Sequence, residues 1–252
     1  MKDKTADLEK ANSELEQANR GLLQANKTKD EFLSVMSHEL RTPLNVVMGY
    51  TGMIKDKMLG EVNPEQERAL DKVISRSDDL LRMIIEILQA TSLEARAVKM
   101  EEQEVSLGSF LDDLKSNYEV PVNKELSFKW EYPSDLPTVT TDSKKLKHIL
   151  QNLINNAVKF TERGQVTISA RYNPRAKAVE FKVADTGTGI QKELLPSIFE
   201  MFRQGDSSET RSHGGVGIGL YIVRKFTDLL GGTIEAASEP GKGSIFTVTI
   251  PC

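Results

Sequence analysis

Ser37-His38-Glu39-Leu40-Arg41-Thr42-Pro43-Leu44-Asn45 sets one imidazole beside a carboxylate and one helical turn ahead of a hydroxyl. Around it Phe32, Met36, Leu40, Leu44 and Val47 recur at helical spacing. At ~100° per residue, His38 lies roughly 160 to 200° from Met36 and Leu40, so it faces away from the apolar seam. Thr42 returns to the face of His38, and Glu39 sits about a quarter-turn away, within reach of the ring's second N–H. A carboxylate there selects the tautomer, leaves one nitrogen lone pair free and stabilises positive charge as that nitrogen attacks. Pro43 lacks the amide that would bond the Glu39 carbonyl, which predicts a bend within a turn of His38. A lone histidine beside a glutamate is ordinarily a solvated surface pair, so the rest of the chain decides its meaning.

Upstream, Leu8, Ala11, Leu15, Ala18, Leu22 and Ala25 alternate three and four apart among polar residues, the seam of a parallel dimeric coiled coil. Asn12, Asn19 and Asn26 repeat at seven but flank the seam, as solvated residues do. Beyond Ala25 the ladder runs through Lys29 to Phe32, Met36 and Leu40, and steps of four break the heptad just before His38. Such a discontinuity could turn motion of the upstream coil into movement of the histidine; it is equally the mark of a coil passing into a bundle.

Downstream, Gly60 to Pro64 ends the first helix and starts a second, Pro64 suiting a first turn. There Leu70, Ile74, Ser77, Leu81, Ile84 and Leu88 step four, three, four, three, four, with Val73, Leu80 and Ile87 alongside. One neighbouring helix cannot cover so wide a face. Two such hairpins give a four-helix bundle and hence a homodimer.

The 252 residues allow one large or two modest domains, and a hydrophobic fraction of 38% supplies cores for both. A single cysteine, Cys252, excludes an intramolecular disulfide and a cysteine zinc cage. The three histidines have no ligand-spaced acidic partners. A net charge of −4 and a pI near 5.6 argue against nucleic-acid binding. No apolar run reaches the roughly 18 to 20 residues that span a bilayer, and no signal peptide is visible. These residues are therefore expected in the cytoplasm. The sequence opens inside what reads as a helix, so a longer, membrane-attached parent with an upstream sensor domain absent from this chain is compatible with it.

After Ala97 the pattern changes. Residues 98–105 read as a charged linker, Ser106 to Tyr118 as a helix, Leu126 to Glu131 as a strand, and Asp142 as the cap of a helix running to Phe160. Gln165 to Tyr172 and Ala178 to Asp185 read as a hairpin turning at Asn173-Pro174, and Thr233 to Ala237 with Ser244 to Ile250 as two closing strands. The sum is an α/β sandwich, mostly antiparallel, with helices on one face.

Several features of this second part bear chemistry. On the helix after Asp142, Leu146, Ile149, Leu150, Leu153 and Ala157 form a core face. His148, Asn152 and Asn156 stack at four-residue intervals on another, with Lys159 one turn later. Amide oxygens so stacked can hold a hard cation such as magnesium, and the ammonium can meet phosphate. An Asn/Lys stripe alone is usually a solvated face. Val183-Ala184-Asp185-Thr186-Gly187-Thr188-Gly189-Ile190 puts a carboxylate at a strand end, where it could accept from the exocyclic amine of adenine. Gly187 and Gly189 would let the backbone approach the base. Phe199 and Phe202 are read as a hydrophobic clasp. Arg203 to Gly215 has no large apolar residue, which predicts a mobile lid. It runs into Gly214-Gly215-Val216-Gly217-Ile218-Gly219-Leu220, opening a helix whose N-terminal amides favour phosphate.

H-E-L-R-T-P-L at His38 resembles, without a departure, the phosphoacceptor box of sensor histidine kinases. The Asn helix, Asp-Gly loop, Phe pair, lid, glycine box and Gly241-Lys242-Gly243-Ser244, in this order, resemble the ATPase domain of the same kinases in the GHKL superfamily. The resemblance covers nearly the whole chain after Asp30. It implies residues 1–30 as a coiled-coil signalling helix, 31–97 as a dimerisation and histidine phosphotransfer domain forming a dimeric four-helix bundle, 98–105 as linker and 106–252 as a GHKL (Bergerat-type) ATP-binding domain.

By that resemblance His38 is the phosphoryl acceptor, Glu39 its base or tautomer clamp, and Thr42 the group that positions water for dephosphorylating a partner. Asn156 ligates magnesium with support from Asn152. Lys159, Gly215, Gly217, Gly219 and Leu220 meet ATP phosphates, and Asp185 with Gly187 and Gly189 reads adenine. Val216 departs from a common Thr or Ser, which bears on ATP affinity. The implied activity is ATP-dependent phosphorylation of His38, with transfer to an aspartate of a response-regulator receiver domain.

Two rival readings compete with it. GHKL hydrolases such as gyrase place a water-activating Glu four residues before the magnesium Asn, where this chain has Asn152. An ATP-binding scaffold acting mainly as a regulator phosphatase or docking dimer is the other.

Overall fold

The computed structural model describes residues 17, 20, 21, 39–94, 99–118, 124–203 and 217–252. The expected coiled coil, the heptad break, His38 and the stretch 204–216, which includes Gly215 and Val216, lie outside the described residues. The chain divides into two compact units, Met1–Val98 and Lys99–Cys252.

In the first unit, the described part of helix α1 spans 39–55 and runs on through Pro43. It ends earlier than the Gly60 signal suggested. Met58 N–H bonds the Met53 carbonyl at 3.0 Å and Lys57 N–H the Ile54 carbonyl at 3.0 Å, with Lys57 left-handed at φ 59°. This is a Schellman closure with lysine where glycine is usual, at a cost of roughly 1 kcal/mol. A non-glycine residue in that place leaves no mark in the sequence.

Helix α2, Pro64–Glu94, starts on a capping box that sequence reading missed. Asn63 Oδ1 accepts from the amides of Glu65 (3.0 Å) and Gln66 (2.9 Å), while Gln66 Oε1 accepts from Asn63 N–H at 2.9 Å. Asn63→Ala should therefore cost about 1 kcal/mol, read as a lowered melting temperature of the helical hairpin with α2 otherwise intact. Along α2 the residues Leu70, Ile74, Leu81, Ile84 and Leu88 are half-buried and Ser77 buried, as the four-three stepping predicts. Lys55 and Asp71 tie the two helices at 2.6 Å, a pair too exposed to add much.

The second unit is built on a five-stranded sheet of order β2-β4-β5-β7-β6. Its strands are β2 (Glu125–Glu131), β4 (Arg163–Asn173), β5 (Ala178–Asp185), β6 (Thr233–Glu239) and β7 (Gly243–Pro251). Only β2 and β4 are parallel; every other pair is antiparallel. Period-two alternation puts Ile168, Val183 and Phe246 side by side on the buried face, with Ala170, Phe181 and Val248 in the next row. Helices α3 (Leu107–Ser116), α4 (Ser143–Phe160) and α5 (Gly219–Leu229) complete the unit. Helix α4 lies on β4 and β5, α5 on β6 and β7, and the two helices touch. Leu146, Ile149, Leu150, Leu153 and Ala157 of α4 are fully buried, the core face read from their spacing.

One expectation is corrected. The supposed linker 98–105 ends in strand β1, Gln103–Ser106, which pairs antiparallel with β3, Thr138–Thr141. Four-residue strands whose buried apolar content is Val105 and Val139 are too short to declare a period. The chain is anchored earlier still, because Glu101 N–H and the Lys145 ammonium both bond Asp142 Oδ2, and Lys145 also reaches the Lys99 carbonyl at 2.7 Å. Among the described residues no helix is long and apolar enough to cross a membrane.

Candidate nucleotide site

Helix α4 is aimed by its N-cap. Asp142, 1% exposed, accepts from the amides of Lys144 and Lys145 at 3.1 Å each. With the core face turned to the sheet, Asn152, Asn156 and Lys159 emerge half-buried on another face. Asn152 Nδ2 donates to the His148 carbonyl at 2.9 Å, and its Oδ1 faces Gly219 of α5. A Cβ on Gly219 would lie 3.1 Å from that oxygen, so Gly219 sits directly on the Asn helix. Ile218, ahead of α5, offers no side-chain cap to the helix N-terminus. The ring of His148 meets Phe226 of α5 edge-on at 5.9 Å, and burial followed by the Lys147 charge holds its pKa below the ordinary value.

Asp185 closes β5 at 9% exposure. Its Oδ1 accepts from the amides of Gly187 (2.8 Å) and Ser244 (3.3 Å); among the described residues nothing donates to Oδ2. Burial raises the carboxyl's pKa, and the two amides only partly oppose this. A carboxylate with one oxygen fixed and the other open is an oriented acceptor for an N–H donor.

The loop after Asp185 is pinned along its length. Thr186 exchanges bonds with Gln165, its N–H to the carbonyl at 3.2 Å and its Oγ1 from the amide at 3.0 Å. Thr188 N–H meets the Phe160 carbonyl at 3.1 Å, the Thr188 carbonyl takes Gly241 N–H at 2.8 Å, and Ile190 N–H meets Ser238 Oγ at 2.8 Å. The glycines have a structural reason of their own. A Cβ at Gly187 would stand 2.2 Å from the Phe160 carbonyl oxygen, and one at Gly189, where φ is 69°, 2.2 Å from that of Glu239. They let the loop seat against its own chain, whatever ligand comes. Thr161, wholly buried at the end of α4, has no partner for its hydroxyl among the described residues.

The expected Phe clasp divides. Phe199 packs edge-on against Phe246 at 6.4 Å with the Arg224 guanidinium 5.9 Å from its ring. Phe202 instead is 58% exposed, because its left-handed φ of 62° and its N–H bond to the Gly217 carbonyl turn it outward. Gly217 and Leu220 stand at the start of α5 as expected, and the Lys159 ammonium lies 5.0 Å over the Phe160 ring. Glu39 and Thr42 are exposed on α1, in the other unit. Sequence reading missed Thr186 and Ser238; Thr186, next to the singled-out carboxylate, was the one with a signal.

Among the described residues no three acidic, His or Cys side chains could cage a metal. Amide oxygens such as Asn152 Oδ1 suit a magnesium ion that keeps most of its shell from waters and phosphates, not an all-protein cage.

Residues 28–96 match the His Kinase A (phospho-acceptor) domain family, and residues 141–252 the family of histidine kinase-, DNA gyrase B- and HSP90-like ATPases. Together these take in more than two thirds of the chain. The chain belongs to the histidine kinases: a phospho-acceptor helical hairpin followed by a GHKL ATPase-type α/β domain. It is 40% identical over 227 residues to the aerobic respiration control sensor protein ArcB of Escherichia coli K12, covering 89% of this chain and 29% of ArcB. It is 35% identical over 232 residues to the autoinducer 2 sensor kinase/phosphatase LuxQ of Vibrio vulnificus YJ016, covering 89% and 27%. Among solved structures, full-length ShkA in complex with AMPPNP superposes with a TM-score of 0.71 at 31% identity, over 88% of this chain and 45% of that one. The chain thus spans less than a third of the length of ArcB and of LuxQ.

Proposed function

We propose that this chain is the catalytic core of a sensor histidine kinase that phosphorylates its own His38 from ATP and passes the phosphoryl group to an aspartate of a response-regulator receiver domain. The observation that carries the reading is the Asp185 carboxylate, with Oδ1 held by two amides and Oδ2 open, in a loop seated on the helix of Asn152, Asn156 and Lys159. Oδ2 would accept the adenine amine. Lys159, Gly215, Gly217, Gly219 and Leu220 would meet the phosphates. Asn156, with Asn152, would hold magnesium, which would offset the negative charge of the phosphates during transfer.

A His38 nitrogen lone pair attacks the γ-phosphorus in line, the bond to the β,γ-bridging oxygen breaks, and ADP leaves. Glu39 accepts the other ring N–H and stabilises the charged ring. The receiver aspartate then displaces the phosphoryl group from the histidine. Thr42 would position water for the reverse duty, removal of phosphate from the regulator.

Leu40, Val47, Tyr50, Val73 and Leu80 are each more than 40% exposed in one chain, as a bundle completed by a second copy requires. The kinase core would work in the cytoplasm, attached or not to a membrane by a longer parent. A hydrolase reading lacks its base, because Asn152 stands where the hydrolases carry Glu and an amide takes no proton.

Incubation with γ-labelled ATP and magnesium tests the proposal. The parent should take up acid-labile label, His38→Gln none, and Asn156→Ala less than about a hundredth of the parent's rate. Undiminished labelling of His38→Gln would overturn the acceptor, and free phosphate without labelled protein would favour the hydrolase.

A further inference from the structure

An α-helix leaves its last four carbonyls without partners inside the helix, at the negative end of its dipole. No glycine closes α4: Thr161 follows it in extended conformation, φ −115° and ψ 115°. Two groups distant in sequence meet its last carbonyls. The Lys124 ammonium, just ahead of β2, donates to the carbonyls of Val158 at 2.9 Å and Lys159 at 3.2 Å, and beyond the helix to that of Thr161 at 3.2 Å. Glu162 Oε1, 2.9 Å away, is its counter-ion, and the Lys124 side chain is only 15% exposed. The Phe160 carbonyl, within the same turn, takes the amide of Thr188.

That turn does two jobs. It carries Lys159, and it is the seat on which the loop of Asp185 rests through Thr188 and Gly187. Without a cation the carbonyls of Val158 and Lys159 would splay toward water, as free helix ends do, and the Phe160 carbonyl would move with them. We propose that Lys124 is a positioning residue of the nucleotide site: by clamping the last turn of α4 it holds the adenine loop in register with the phosphate-facing side chains. It bonds the backbone carbonyls of Val158, Lys159 and Thr161 and its counter-ion Glu162, and it acts on the site through those carbonyls. The inference rests on the ATP reading above and adds to it a residue outside every motif of the site.

ATP titrations by calorimetry and autophosphorylation rates across ATP concentration, on the whole chain with magnesium, compare the parent with Lys124→Met and Lys124→Arg. Lys124→Met should weaken ATP binding and raise KM about tenfold, with kcat at saturating ATP within about twofold. Lys124→Arg, which keeps the cation, should recover most of the affinity. Without nucleotide, the Thr188 amide should exchange faster in Lys124→Met while amides in the β5–β7 ladder keep their protection.

Parental affinity in Lys124→Met, an equal loss in both variants, or deprotection spread evenly over the sheet would each overturn the proposal. If Lys124→Met does not fold, Lys124→Gln, a neutral donor, takes its place with the same outcomes. If the parent itself binds no ATP, the kinase reading falls, and exchange at Thr188 still judges Lys124 by itself.

Discussion

Asp185→Asn should abolish useful ATP binding while leaving the nucleotide-free domain as heat-stable as the parent or more so. The two effects separate because the two oxygens have separate work. The substituted carboxamide can keep its one oxygen toward the amides of Gly187 and Ser244, so the loop holds. Its nitrogen becomes an N–H donor facing another donor, and loss of a hydrogen bond to a charged acceptor weakens binding by about 2 to 3 kcal/mol, roughly 30- to 150-fold.

Stability goes the other way. Burial raises the Asp185 carboxyl pKa above its unfolded value, so between the two values the native chain binds more protons than the unfolded one. Stability then falls as pH rises through that window, and at neutral pH the ionised side chain is a cost the amide variant does not carry. Melting temperatures without nucleotide, compared from about pH 4 to about pH 7, should show the variant gaining on the parent as pH rises and then holding level. A neutral-pH melting point several degrees below the parent's would contradict this account.

Lys145→Met should be the most destabilising of the substitutions considered, at about 3 kcal/mol or roughly 10 °C in melting temperature. Lys145 is buried against Asp142 and bonds the Lys99 carbonyl; removing it strands a carboxylate that is 1% exposed. Adding Asp142→Asn to Lys145→Met should restore most of the loss, because the cost lies in the unpaired charge. Burial pushes the Asp142 carboxyl up, but Lys145 and the amides of Glu101 and Lys145 outweigh it and hold the pKa below the ordinary value.

A depressed carboxylate contributes stability that is complete above its unfolded pKa, about 3.9, and lost as pH falls through its native value. The gap between parent and Lys145→Met, measured by denaturant unfolding, should therefore close below about pH 4. Failure of the double variant to recover would show that Lys145 acts through its bond to Lys99 and its packing instead of through charge.

Wherever a long period existed, the elements could be read in advance. The buried faces of α2 and α4, the Asp142 cap, the hairpin at Asn173-Pro174 and both closing strands lie where apolar spacing and turn residues put them, because those signals act within a few residues of one another. In the second unit the loop after Asp185 is seated on the end of α4 and Gly219 stands beside Asn152.

What sequence reasoning could not reach is whatever depends on contact between distant segments. Strands β1 and β3 exist by pairing with each other, the Schellman turn at Lys57 by backbone bonds that any side chain permits, and the outward Phe202 by its amide's bond to Gly217. Gly187 and Gly189 were legible as glycines, but that they clear the Phe160 and Glu239 carbonyls is a matter of which backbones meet. Lys124 is the plainest case. In the chain it is one more surface-type cation among 33 lysines and arginines; folding brings it to the end of a helix distant in sequence, where the last carbonyls give its charge a place. Local chemistry is written in spacing, whereas a hydrogen bond between remote groups is decided only when the core has chosen its neighbours.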